Sequence, residues 1–321
     1  MIYIVLFSIS FALTYFIKEY AIKKSLIATV NERSSHTVPI PHGGGIAVAI
    51  TWFAGLIYLY INNQIEPTLF FAFIIGAVIA VVGFVDDIVE LSPKIRMIVF
   101  ALVGATGLYI IGGLDVLTFG LFDISNTFIT SVFAMLLILW YINLTNFIDG
   151  IDSYLGVKFI FLSVAGLVIF GADYFAVLGV SVLGFLYWNW HNAKIFMGDV
   201  GSTLLGYTIA IITLYYANIQ SQNLWIWITL YGVFWFDATM TLVRRKLNGE
   251  KLSQAHKKHA YQRLTQAGWS HSKVTLYALG LNVVIFLLVY FIPNIAVSFA
   301  LSLVLLYVAY RFVDSKKKFE S

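Results

Sequence analysis

The chain has 321 residues, of which 60% are hydrophobic and 11% charged, with a formal net charge of +4 and no cysteine. An ordinary soluble domain carries about 25% charged residues, so this composition, with a mean hydropathy of +0.87, excludes a soluble fold and describes an all-α polytopic membrane protein. The absence of cysteine excludes disulfides and thiolate chemistry, and a small positive excess in such a chain reports topology, not nucleic acid binding.

Apolar runs of about 17–22 residues predict eleven transmembrane helices. They centre near residues 10, 52, 76, 105, 136, 163, 181, 210, 233, 283 and 303, and form one integral membrane domain over 1–321. The first run has no basic residue before it and Lys18 after it. That is the wrong polarity for a cleaved signal peptide, so a retained span is expected. With the N-terminus outside and the C-terminus cytosolic, the inside segments are 18–43, 86–96, 146–158, 191–202, 244–273 and 311–321. All 20 Lys and Arg fall in or at the edge of these segments, and the outside loops 62–67, 114–126, 171–174, 218–223 and 292–294 hold none. This is the positive-inside pattern without exception.

In chain order, the first cytosolic cluster is Arg33 and His36, followed by His42, Gly43, Gly44 and Gly45 at the start of span two. Free N–H groups at that helix start could receive a phosphate; the glycines could equally serve close helix packing. Asp86 and Asp87 end span three at its cytosolic, C-terminal end. The partial negative charge there makes two carboxylates unfavourable unless a cation offsets them. They belong either to a metal and phosphate site or to a solvated loop with Lys94 and Arg96 as counter-charges. Among the outside loops only 114–126 could hold structure, a small hairpin around Gly120.

Span five leads into Asn143, Asn146, Asp149 and Asp152. One helix cap accounts for one Asp, not for two amides and two carboxylates. Hard oxygen groups bunched at a membrane surface suit a magnesium ion that keeps part of its shell for phosphates. Asp199, between Gly198 and Gly201, reads as a helix cap or as part of the same site. Asp237 lies within span nine, where a carboxylate costs a few kcal/mol unless partnered. His256 and His259, with Lys257, Lys258 and Arg263, form either a basic helix on anionic headgroups or a clamp on a pyrophosphate. A zinc site lacks a cysteine or an obvious third ligand.

These motifs resemble the polyprenyl-phosphate N-acetylhexosamine-1-phosphate transferase family. The carrying residues are Asp86-Asp87, the stretch 143–152, Phe196 to Ser202 and His256-x-x-His259. They span nearly the whole chain in the right order. The segment 33–45 and the ending through Tyr261, Gln262 and Arg263 look most like the O-antigen-initiating branch. Two positions depart from the family pattern: Glu90 stands where some relatives have Lys, and Ser153 follows Asp152 where glycine is usual.

The resemblance implies transfer of a sugar-1-phosphate from a UDP-N-acetylhexosamine to undecaprenyl phosphate, with release of UMP, at the cytosolic face of the bacterial inner membrane. It implies Mg²⁺, for which Mn²⁺ can substitute, on Asn146 and Asp199. Asp86 and Asp87 are expected to orient the lipid phosphate, with Asp149 and Asp199 completing the catalytic set. Asn143 and Asp149 are expected on the nucleoside side, and Asp152 among the substrate-binding residues. Lys94, His256, His259 and Arg263 are expected on phosphate charge, and Arg33, His36 and Gly44 on the acceptor side. The expected partners are the two substrates and membrane lipid, and a homodimer is compatible with the reading. The rival readings are an ion-coupled secondary transporter, which would place its sites near the midplane, and a non-catalytic lipid-binding scaffold.

Overall fold

The computed structural model describes residues 1–23, 27–28, 40–89, 91–120, 122–252, 254 and 256–319. Arg33, His36 and Glu90 lie outside the described residues. In chain order the helices are α1 (Ile2–Lys23), α2 (Gly45–Ile61), α3 (Pro67–Ile74), α4 (Gly76–Val89), α5 (Pro93–Ile110), α6 (Thr127–Ile148) and α7 (Tyr154–Phe170). They continue with α8 (Asp173–Asn189), α9 (Gly198–Ile219), α10 (Asn223–Leu230), α11 (Gly232–Leu247), α12 (Ala260–Gln266), α13 (His271–Phe291) and α14 (Ile295–Lys316). Strand β1 (Ile27–Ala28) pairs antiparallel with β2 (Ile40–Pro41), and β3 (Leu117–Thr118) with β4 (Asp123–Ile124).

Local chemistry explains several helix starts. The Asn126 side chain accepts from the N–H groups of Phe128 and Ile129 to begin α6, and Asn294 does the same for α14. Ser92 and Ser270 cap α5 and α13. Such side chains satisfy donors that have no partner inside the helix. The expected hairpin is present: Phe119 N–H bonds Phe122 O at 3.0 Å, and Gly120 takes the left-handed φ of 78°.

Each of the eleven expected centres falls in a helix. Length and composition support fewer crossings. Seven helical segments among the described residues are long and apolar enough to span a membrane, counting α3 and α4 as the single segment Pro67–Val89. The α10–α11 pair, bent by 71°, makes an eighth if it is one span. Helices α2, α7 and α8 have 17 residues each. At 1.5 Å rise per residue, each is about 26 Å long, short of a hydrocarbon core of about 30 Å.

Helix α9 is the centre of the bundle. Of its most apolar stretch, 94% is buried, packed against α2, α4 and α6. Small residues permit that approach. A Cβ on Gly83 of α4 would lie 2.7 Å from the Asp199 carbonyl carbon, and one on Gly206 would lie 2.6 Å from the Tyr141 carbonyl oxygen. The start of α9 is thereby pressed against the ends of α4 and α6.

Two charged residues differ from their expected settings. Lys158 is not an interfacial positive charge but is 1% exposed. Its Nζ donates to Leu230 O and Asn282 Oδ1, each at 2.6 Å. It therefore satisfies a carbonyl at the α10–α11 bend, where a cation at a helix C-terminus is favourable. Asp237 has its partners in α11 itself and at the start of α12. It accepts from Ala260 N–H at 2.7 Å and Thr241 Oγ1 at 3.1 Å, and so caps α12 from outside that helix.

Candidate active site

Three helix ends meet in one place. The last turn of α4 carries Asp86 and Asp87, the first turn of α9 carries Asp199, and the last turn of α6 carries Asn146 with Asp149 as its C-cap. Asp199 N–H donates to Asp87 Oδ1 at 3.1 Å. The Asp87 carboxylate thus sits at the positive end of α9, where it is electrostatically favoured. Asn146 Nδ2 donates to Asp199 Oδ1 at 2.8 Å and to Ser202 Oγ at 3.0 Å. Arg96, from the first turn of α5, donates through Nη1 to Asp86 Oδ2 and, at 3.0 Å, to Asp199 Oδ2. Asp86 Oδ1 also accepts from Leu91 N–H at 2.7 Å. His42 Nδ1 lies 3.7 Å from Asp87 Oδ1.

The charges do not balance. Among the described residues, Asp86 and Asp199 share the guanidinium of Arg96, and Asp87 and Asp149 add two further carboxylates beside them. Burial, reinforced by Asp199 and Asp87, pushes the Asp149 carboxyl up to about 7. His42 offers little compensation, because burial lowers its pKa against the pull of Asp199. Asp87 Oδ2 is buried with no hydrogen-bond partner among the described residues. An orphaned carboxylate oxygen beside further carboxylates fits a hard divalent cation. Asn146 currently turns its NH₂ toward Asp199, so its amide oxygen reaches a metal there only if the group turns over.

Other residues singled out by sequence lie elsewhere. Gly44 and Gly45 have no free N–H groups: they donate to Phe196 O at 2.9 Å and Met197 O at 2.8 Å. A Cβ on Gly44 would strike the Phe185 ring at 2.4 Å, so close packing is the reading that holds. Lys94 is exposed at the start of α5. Asn143 Nδ2 donates back to Leu139 O at 2.7 Å. Asp152 leaves the carboxylate group altogether. It is 2% exposed, and its Oδ2 faces Nδ1 of His191 at 2.9 Å and Nδ1 of His271 at 3.2 Å.

The residues of the expected phosphate clamp are paired within the fold. Arg263 is 2% exposed, and its Nη1 donates to Asp314 Oδ1 at 2.6 Å. His259 is buried at the N-cap of α12, with Nδ1 3.6 Å from Asp237 Oδ1. Burial, with His259 and Arg245 nearby, holds His256 down to about 4.

Two residues given no direct role in the sequence reading belong to the site. Arg96 was visible there only as a counter-charge, yet it bridges two carboxylates from different helices. The rule that paired carboxylates at a helix C-terminus need a cation pointed to it. His42 sat in the glycine-rich segment without a function; no spacing signal links it to Asp87.

Residues 68–217 match the family model described as glycosyl transferase family 4, an interval containing Asp86, Asp87, Arg96, Asn146, Asp149 and Asp199. Over 290 residues the chain is 32% identical to a probable undecaprenyl-phosphate N-acetylglucosaminyl 1-phosphate transferase of Bacillus subtilis, covering 84% of this chain and 78% of that protein. It is 29% identical to the undecaprenyl-phosphate alpha-N-acetylglucosaminyl 1-phosphate transferase of Yersinia pestis, covering 84% and 77%. A phospho-N-acetylmuramoyl-pentapeptide-transferase of Enterococcus hirae is 27% identical, covering 67% and 71%. With that coverage, and with the motif aspartates gathered at three helix ends, the chain belongs to the polyprenyl-phosphate N-acetylhexosamine-1-phosphate transferases of glycosyl transferase family 4.

Proposed function

We propose that the chain transfers an N-acetylhexosamine-1-phosphate from a UDP-sugar to undecaprenyl phosphate, releases UMP, and so initiates a lipid-linked glycan such as O-antigen. The observation that carries this reading is the gathering of Asp86, Asp87, Asp149 and Asp199 at three helix ends, where Arg96 pairs with Asp86 and Asp199 alone. Such a centre repels phosphates until a cation enters, and then holds them. Asp87, Asp149 and Asp199 are the residues to hold Mg²⁺, with Asn146 either orienting Asp199 or joining the set after its amide turns. Bound there, Mg²⁺ supplies the charge neutralisation that phosphoryl transfer requires.

The chain's own groups then have definite tasks. Arg96 bridges Asp86 and Asp199 through Nη1 and has further N–H groups with which to meet a phosphate. Asp87 pairs with the N-terminus of α9 through one oxygen and keeps the other for the reaction centre. The acceptor phosphate has a second pKa near 6, as phosphomonoesters do. It is mostly dianionic at neutral pH, and Asp86 and Asp87 orient it without having to remove a proton. The basic residue pattern supports placing this centre at the cytosolic face of a bacterial inner membrane. The transporter reading loses its main support, because Asp237, the acidic residue expected at depth, is engaged by Ala260 and Thr241.

The test is UMP release by the detergent-solubilised protein, screened across UDP-N-acetylhexosamines with undecaprenyl phosphate and Mg²⁺. Release with at least one donor that requires both the lipid phosphate and the ion is expected. No release with any donor overturns the reading.

A further inference from the structure

The proposed reaction leaves one buried lysine unused. Lys158 lies in the second turn of α7 and is 1% exposed. An ionisable side chain inside an apolar bundle is costly and marks a place with a task. Its Nζ donates at 2.6 Å to Leu230 O, at the last residue of α10, and at 2.6 Å to Asn282 Oδ1 of α13. Both partners are neutral oxygens. The rings of Phe161, Tyr231 and Phe234 complete its surroundings, with centroids 5.1, 5.5 and 5.4 Å from Nζ, within reach of a cation–π contact. One atom thus ties α7 to α13 and to the 71° bend between α10 and α11.

The bend reaches the reaction centre through its corner residue. Tyr231 lays its ring beside that of Tyr141 in α6, with centroids 4.7 Å apart, and its hydroxyl lies 2.5 Å from Thr145 Oγ1. Thr145 gives its own proton to Tyr141 O at 2.6 Å, so the Tyr231 hydroxyl is the donor. Helix α9 presses on the same turn: a Cβ on Gly206 would lie 2.8 Å from Thr145 Oγ1. The next residue is Asn146, whose amide reaches Asp199 and Ser202. The last turn of a helix lacks partners for its carbonyls within the helix, so the end of α6 keeps its place through such lateral ties. We propose that Lys158 is a positioning residue: it fixes the α10–α11 bend, the bend holds the Tyr231 hydroxyl on Thr145, and that bond fixes the turn of α6 that carries Asn146 to Asp199. This rests on the transferase reading for its kinetic consequences, though not for its geometry. Misplacing a reacting group by about 1 Å can cost 10²-fold in rate.

The experiment compares wild type with Lys158→Met, which keeps the side-chain length and removes the donor, with Tyr231→Phe, which removes only a hydroxyl, and with the double variant. UMP release is measured per folded molecule while both substrates are varied. Each single variant lowers kcat by about tenfold and leaves both KM values within about threefold. The double variant falls no more than about threefold below the slower single variant, because both changes break one path; independent defects would multiply to about 10²-fold. Unchanged kcat in Tyr231→Phe overturns the proposal, and so do multiplied losses in the double variant. A raised KM with kcat retained overturns it as well and makes the bend a substrate contact.

Hydrogen exchange follows the same path in order, without turnover. Segments 141–148 and 230–236 should lose protection together in Lys158→Met, and segment 141–148 alone in Tyr231→Phe. Unchanged protection of 141–148 in both variants overturns the proposal. If the protection changes as described while wild type releases no UMP, the transferase reading fails and the tie through Lys158 stands.

Discussion

Two charged centres occupy this bundle, and they are built on opposite principles. Where α4 and α6 end and α9 begins, four carboxylates gather, Arg96 pairs with two of them, and a buried Asp87 oxygen has no partner among the described residues. Where α11, α12 and α14 meet, the carboxylates of Asp314 and Glu250 are each paired with two cations. Asp314 takes a two-pronged pair from Arg244, 2.8 Å on each side, and a third bond from Arg263 at 2.6 Å. Glu250 likewise takes Arg245 and Lys258, at 3.0 and 2.8 Å. A compensated network holds parts together, whereas an uncompensated one stores electrostatic free energy that a cationic ligand can release. Of the basic residues that looked like phosphate binders in the sequence, Arg263 pairs with Asp314 and Lys258 with Glu250.

Substitutions should separate the two centres. The largest effect is expected at Asp199: Asp199→Asn lowers UMP release by about 10³-fold, the scale for losing a group that stabilises transition-state charge. Arg96→Met follows, with a loss of about 10²-fold. It also lowers the thermal-denaturation midpoint, since it strips two carboxylates of their shared cation. Asp314→Asn acts in the other direction. It destabilises by about 3 kcal/mol, because buried Arg263 loses its partner, while the rate per folded molecule stays within about threefold. A Asp314→Asn protein that is stable but inactive would erase the distinction drawn here.

The smallest effect is one of pH. The Asp149 carboxyl titrates near 7 in the folded chain, against 3.8 for an unperturbed Asp. Between these values the folded state binds the extra proton, so stability falls as pH rises, and the full penalty applies above about 7. Asp149→Asn should therefore raise the denaturation midpoint of the divalent-ion-free protein at about pH 8 and give no gain at about pH 4, while lowering turnover. Equal gains at both pH values would place the effect elsewhere than in this carboxyl.

Much of the site was legible because chemistry-bearing residues sit at helix ends, and ends are what apolar runs define. Asp87, Asn146 and Asp199 fell on three such ends expected on one side, and they meet. What the sequence hides is direction and long-range pairing. Asp149 and Asp152 are three apart, and their spacing does not reveal that their side chains serve different clusters. Directly after Asp152 the chain turns at Ser153, whose φ of 62° is left-handed, at the position where the family usually has glycine. Glycine adopts that conformation without a Cβ penalty. Arg263 and Asp314 are 51 residues apart, and Arg96 and Asp199 are 103 apart; no local periodicity connects either pair. The number of crossings is not fixed by the sequence, because apolar content alone does not distinguish a full span from a 17-residue buried helix.

The central claim is that the unmatched carboxylates form a divalent-cation site. Electron paramagnetic resonance of Mn²⁺ titrated into the detergent-solubilised protein tests it without substrate. One bound ion per chain, displaced by Mg²⁺ and lost in Asp199→Asn but retained in Asp314→Asn, is the predicted result. Binding that survives Asp199→Asn unchanged, or no binding by the wild type, would contradict it.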